Sequence, residues 1–343
     1  MRSLSSPDER RRITPDSTPW RLAALAAVLL VVGVVSIGTG AAPVPMVAVI
    51  QALFADTDGA TRAIIVDLRL PRALLAMTAG GGLAMTGAVF QALLRNPLAE
   101  PYVLGVSGGA AVGAVIAILT GVASVAPWGL PIAAFAGAIL AIVLVFTITV
   151  RVGRGLDTRV LLLAGVVIGA FFNAVILLLL TFAEAETFRS AVFWMMGSLA
   201  GASWAAVGLS AAYVLPLAAG LIAFSRAFNL LALGDDTAQY LGIRVERVKM
   251  LAYVAASFIV AAAVAACGVI GFIGLIVPHA LRLLWGSDHR LLLPASFLAG
   301  GAVLLATDTI ARTVAAPAEL PVGVITALIG VPLFVVILTR SFR

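Results

Sequence analysis

A single cysteine, a single lysine and two histidines are almost all that this 343-residue chain offers to covalent or metal chemistry. Cys267 lies alone in an apolar run, which excludes an internal disulfide and a cysteine-rich metal site. Lys249 follows Val and Arg, whereas a phosphate-cradling P-loop feeds a Gly-rich turn into Lys and then Ser or Thr. The chain is therefore not a P-loop ATPase. His279 and His289 are ten residues apart with no His-Glu-x-x-His pattern, so no catalytic metal is expected. Charged residues reach only 11%. Acidic residues inside apolar runs are nearly absent, with Asp308 the main exception. A proton- or sodium-coupled carrier places ionisable groups at mid-membrane, so secondary transport is disfavoured. The pI near 10.4 comes from arginines between apolar runs, without the interleaved aromatics of a nucleic-acid surface.

What fills the chain instead is apolar: 62% of residues, with a mean hydropathy of +1.14. That composition defines a polytopic membrane protein. A helical crossing needs ~20 apolar residues. Ten stretches qualify: 22–38, 72–94, 104–121, 128–150, 160–183, 205–226, 250–270, 272–285, 291–311 and 322–340. The block 250–285 is too long for one crossing. Gly268, Gly271 and Gly274 mark its reversal, and Pro278 interrupts its second half. A piece at 191–204 is too short to cross and is expected to lie embedded on one side. With both termini cytoplasmic, seventeen of the 22 basic residues fall inside. The five outside are Arg62, Arg69, Arg72, Arg189 and Arg312. Arg10-Arg11-Arg12 before an apolar stretch also fits a signal peptide, but a retained first span is the favoured reading. Residues 1–20 then form a cytoplasmic tail and 21–343 one membrane domain.

Two polar segments interrupt it. An exterior loop, 41–71, holds a short helical stretch near Pro45–Phe54. A cytoplasmic loop, 227–249, holds two short helical pieces split at Gly242, with Asp235 and Asp236 suited to start a helix after Gly234.

The most informative stretch is 69–109. Arg69-Leu-Pro-Arg72 stands at one mouth of an apolar span, and a proline-bracketed turn, Asn96-Pro-Leu-Ala-Glu-Pro101, closes the other. Leu104-Gly-Val-Ser-Gly108, Leu161-Leu-Leu-Ala-Gly165, Gly271-Phe-Ile-Gly-Leu-Ile-Val-Pro-His279 and Glu319-Leu-Pro-Val-Gly323 follow in order. With these motifs the chain resembles the FecCD-type permease subunits of type II ABC importers, which carry iron-siderophore complexes, haem and vitamin B12. The resemblance covers nearly everything after residue 60. It implies an all-α, ten-span subunit in the bacterial inner membrane, paired with a second permease copy. It also implies two ATPase subunits inside, which hold the ATP and Mg, and a substrate-binding protein outside. The permease itself binds no cofactor and does no covalent chemistry. Ferric siderophore is the first expected cargo, with haem and cobalamin next.

The resemblance assigns residues as well. Exposed guanidiniums of Arg69, Arg72 and Arg312 are expected to receive acidic residues of the binding protein, though arginines also serve simply to anchor helix ends. Asn96, Pro97 and Leu98, with Asp157, Thr158 and Arg159 before the fifth span, would close a cytoplasmic gate. Arg159 is bulky and charged for that task. Gly234, Asp235, Asp236, Ala238, Leu241 and Gly242 would meet the ATPase. Gly80, Gly81, Gly82, Gly87, Gly108, Gly109 and Gly113 are read as close-packing positions rather than cargo contacts. Asp308 and Arg312, four apart on one helix, are expected to pair. Met77, Met85, Met195 and Met196 either line an adaptable path or fill the core. His279 is expected to be hydrogen-bonded structure.

Two readings from other classes compete. Gly105-Val-Ser-Gly-Gly109 fits the nucleophile motif of rhomboid intramembrane proteases, with His279 as base, and also a hydrolase elbow. Such motifs arise easily in a chain with 33 glycines. An ATP-independent carrier or channel is the second rival.

Overall fold

A computed structural model describes residues 18–40, 44–54, 59–126, 128–153 and 156–341. Most of the N-terminal tail, Arg154 and Arg343 lie outside the described residues, as do parts of the exterior loop, 41–43 and 55–58.

The ten expected spans are ten helices: α1 Thr18–Gly38, α2 Leu70–Leu93, α3 Val106–Leu119, α4 Gly129–Val152, α5 Thr158–Thr181, α6 Trp204–Ala223, α7 Val245–Cys267, α8 Ile273–Trp285, α9 His289–Ala311 and α10 Val322–Ser341. Seven are long and apolar enough to cross a membrane. Among the described residues there is no strand.

α2 is the axis of the bundle. Its sequence is so rich in Gly and Ala that neighbours press against it on all sides, and 19 of its 24 residues are buried. In a bilayer, small residues let helix backbones approach where no hydrophobic drive is available. A Cβ at Gly87 would overlap the carbonyl of Gly274 in α8, and one at Gly109 in α3 would overlap that of Gly137 in α4. The packing role expected of these glycines holds at both positions. α6, α7, α8 and α9 surround α2, and α1 packs on α9. Of the ten long helices α10 is held most loosely within this single copy, touching chiefly α8 and α9.

Two helices are too short. α3 has 14 residues and α8 has 13, about 20 Å at 1.5 Å per residue, against a hydrocarbon core of ~30 Å. The expected span 104–121 is thus only partly helical. The missing lengths are irregular chain. Gly105 lies beside Gly165 and Gly169, in the first half of α5, and Gly274 lies beside Leu83, halfway along α2. Residues 100–105 and 268–272 therefore run at mid-depth and meet there.

The short elements differ from expectation in detail. Met46–Phe54 is helical as expected. The chain enters α2 through a π-helical turn, Ala63–Arg69. The piece expected at 191–204 is only the end of a helix, Ala185–Met195, followed by a loop whose Ser198 amide donates to the Cys267 carbonyl at 2.8 Å. The 227–249 loop is not two pieces split at Gly242. Its helices are Ser225–Leu231 and Asp235–Tyr240, and beyond Gly242 the chain is already winding into α7 at Val245.

Candidate functional site

The bundle has two charged ends and a polar strap between them. At the first end, α1 stops at Gly38 and leaves four carbonyls without helical partners. Thr39 and Val44 amides satisfy Val35 and Gly38. Arginines from other helices take the remaining two. Arg69 Nη1 donates to the Ile37 carbonyl at 2.7 Å, and Arg312 Nη2 donates to the Ser36 carbonyl and, at 2.8 Å, to the Ser36 hydroxyl. A guanidinium at a helix C-terminus also meets the negative end of its dipole.

Arg72 binds two carboxylates. Its Nη2 lies 2.9 Å from Asp308 and its Nη1 2.9 Å from Glu319. Arg312 Nε is farther from Asp308, at 3.6 Å. The expected pairing of Asp308 with Arg312 is thus secondary. Three arginines, Arg69, Arg72 and Arg312, stand with two carboxylates, Asp308 and Glu319, so this cluster itself keeps a surplus positive charge. Arg69 and Arg312 are buried, each only 7% exposed. The exposed guanidiniums expected from sequence are not found, because α1 carbonyls and Asp308 draw them inward. Glu319, whose side chain is 44% exposed, is the cluster's most accessible group.

At the other end, the loop before α5 reaches the last residue of α2, next to the 95–98 turn. The Asn96 side-chain oxygen accepts from the Leu98 amide at 2.9 Å, a local ring that Pro97 stiffens. The Thr158 hydroxyl reaches the Leu93 carbonyl at 3.4 Å. Asp157 caps α5 by accepting from the Arg159 and Val160 amides, and those bonds hold its carboxyl below the usual range. Leu98 and Arg159 are exposed rather than plugged into the bundle.

Asp235 ties this turn to the Asp235–Tyr240 helix. Its Oδ2 accepts from Lys249 Nζ at 2.5 Å and stands 3.3 Å from Arg95 Nη2. Asp236, Leu241 and Gly242 are exposed around it, Gly234 is half-buried and Ala238 is fully buried. Sequence reasoning missed Leu233 and Tyr240, which are 64% and 92% exposed. Large apolar groups standing out from a polar loop were the available signal.

The strap joins the two irregular segments. Non-helical backbone at membrane depth needs internal hydrogen bonds. Tyr102 supplies two: its hydroxyl donates to the Ile270 carbonyl at 2.7 Å and accepts from the Ile270 amide at 3.1 Å. Glu100 accepts from the Phe272 amide at 2.6 Å. Gln91 Nε2 donates to the carbonyls of Ala99 and Gly274, while its oxygen accepts from Arg282 at 2.6 Å. Beside the strap, Met195, Met196, Phe272, Gly323 and Leu328 line a cavity of about 640 Å³. Met85 is core, and Met77 is half-buried against α1 at Gly33.

His279 is not hydrogen-bonded as expected: neither buried ring nitrogen has a partner, and the ring packs edge-on against Phe334. Ser107 and His279 share no bond, so the protease pairing has no geometric support. Among the described residues, no cluster suits a metal.

Ten helices around a Gly-rich axis, two half-length spans and a two-helix polar loop define a permease subunit of a type II ABC importer. The chain belongs to the FecCD transport family, which it matches over residues 28–340. It is 47% identical over 275 residues to the cobalamin import system permease protein BtuC of Halobacterium salinarum, covering 80% of this chain and 73% of that one. It is 40% identical over 294 residues to the hemin transport system permease protein HmuU of Yersinia pestis, covering 83% and 86%. Among solved structures, one described as an inward-facing conformation of a metal-chelate type ABC transporter superposes with a TM-score of 0.83 at 32% identity, over 94% of this chain and 99% of that one. The chain is a multi-pass membrane protein, and its relatives are transport permeases rather than rhomboid proteases.

Proposed function

We propose that this permease moves a large metal chelate inward across the cell membrane by alternating access, and that a corrinoid such as cobalamin is its cargo. The 47% identity to a cobalamin permease carries this reading. The open, weakly polar recess beside α10 gives cobalamin, haem or a ferric siderophore an apolar wall to pass along rather than a pocket that encloses it. Two copies pair, with the apolar faces of α5 and α10 toward each other. The Arg72 end faces outward and both termini face the cytoplasm, a reading the arginine distribution supports.

A substrate-binding protein docks at the outer end. Glu319 and the edge of Arg72 meet it first, and the surplus positive charge of Arg69, Arg72 and Arg312 steers acidic groups toward them. The turn at Asn96, Pro97 and Leu98, with Thr158 and Arg159, forms the inner gate. Leu233, Asp235, Asp236, Tyr240, Leu241 and Gly242 face two ATPase subunits, which bind the ATP and Mg.

Uptake assays in liposomes with the purified importer separate the cargoes. Labelled cobalamin should accumulate and be displaced by excess cobalamin only. Accumulation of haem or ferric siderophore alone reassigns the cargo within the same mechanism.

A further inference from the structure

Among the described residues, two non-glycine side chains hold a left-handed backbone: Arg95, φ 47°, and Phe272, φ 69°. Such a backbone is uncommon for bulky residues and persists only where the surroundings enforce it. A carboxylate from another segment meets each of them. Asp235 lies against the Arg95 guanidinium at 3.3 Å, and Glu100 accepts the Phe272 amide at 2.6 Å.

The two strained residues stand at either end of one short path. Arg95 opens the Asn96–Leu98 turn, and Glu100 ends the same segment five residues later. Phe272 then reaches α10: a Cβ on Gly330 would come within 2.8 Å of the Phe272 Cβ. The path Asp235, Arg95, Glu100, Phe272, Gly330 thus joins the polar loop helix to the loosely packed α10, which lines the cavity.

We propose that this path carries movement of the Asp235–Tyr240 helix to α10. Arg95 and Glu100 are its positioning residues and touch no cargo. The left-handed backbone of Arg95 is the closing turn of α2, where the Asn96 amide donates to the Gln91 carbonyl at 3.1 Å, and Asp235 holds its side chain; the Phe272 backbone is held by the Glu100 carboxylate, and withdrawing that carboxylate lets the turn relax. The proposal rests on the reading that residues 233–242 face the ATPase.

The test is the ratio of cargo imported to ATP hydrolysed by the full importer with its binding protein in liposomes. Glu100→Ala should lower that ratio roughly tenfold, inside the usual range of coupling between sites, while the complex still assembles. Glu100→Gln should keep it, because the amide oxygen still accepts from Phe272. Adding Phe272→Gly to Glu100→Ala separates transmission from simple support, since glycine adopts the left-handed backbone freely. If Glu100 only supports the turn, the double variant regains both stability and ratio, and the proposal falls. Under transmission, stability returns and the ratio stays low.

Should Glu100→Ala fail to assemble, the exposed Arg95→Ala reads the same quantity, and an unchanged ratio overturns the path. A wild-type importer with no binding-protein-stimulated hydrolysis would instead overturn the ATP-driven reading beneath it.

Discussion

Arg72 and Asp308 are joined by three hydrogen bonds of 2.9 to 3.1 Å across 236 residues of sequence, and Asp308 is fully buried. Removing the arginine leaves a buried, poorly compensated carboxylate. Arg72→Met should cost about 3–5 kcal/mol, the usual penalty for breaking a buried pair from one side. Adding Asp308→Leu should recover much of that loss. Thermal unfolding in detergent of both single variants and the double measures the coupling. Additive losses would show that the pair is not a unit.

This pair also shows what the sequence made legible. Ten apolar stretches gave ten helices, because span length and arginine placement are local signals. The partners of the arginines were not readable. Ser36, Ile37, Asp308 and Glu319 lie far from Arg69 and Arg72 in sequence, and no periodicity links them. The shortness of α8 was legible in its stretch, 272–285, whereas the true ends of α3 were not. Residues 101–105 and 268–272 are largely apolar, and hydropathy does not distinguish helix from buried irregular chain. Only Glu100 and Tyr102, polar groups on either side of Pro101, hinted at a strap.

Tyr102→Phe tests that strap. It removes one hydroxyl but orphans two buried backbone groups of Ile270, at about 1–3 kcal/mol each. The melting temperature should fall while the helix content of the folded protein stays the same. A variant as stable as wild type would mean that Ile270 finds other partners.

The cap of α5 gives a pH dependence. The Asp157 carboxyl is held below its ordinary value of 3.8 by the Arg159 and Val160 amides. A depressed folded-state value stabilises above the unfolded value and loses that contribution as pH falls through the folded one. Stability should therefore drop on acidification below about pH 4 by less in Asp157→Asn, which caps without titrating. Equal acid sensitivity in both proteins would show that the cap contributes nothing there.

Leu233 and Tyr240 stand out from the polar loop without packing partners of their size. Leu233→Asp with Tyr240→Asp should leave the permease folded and reduce co-purification of the ATPase roughly tenfold or more, as expected when apolar anchors are lost. Undiminished co-purification would place the ATPase elsewhere.

The central claim is that this chain imports its cargo only as part of an ATP-driven assembly. Binding-protein-stimulated ATP hydrolysis by the reconstituted complex, followed together with cobalamin uptake, tests it most directly. The account predicts that both rise on addition of loaded binding protein and that uptake stops without ATP. Uptake that continues without ATP or an ATPase partner would contradict it and return the chain to the class of independent carriers.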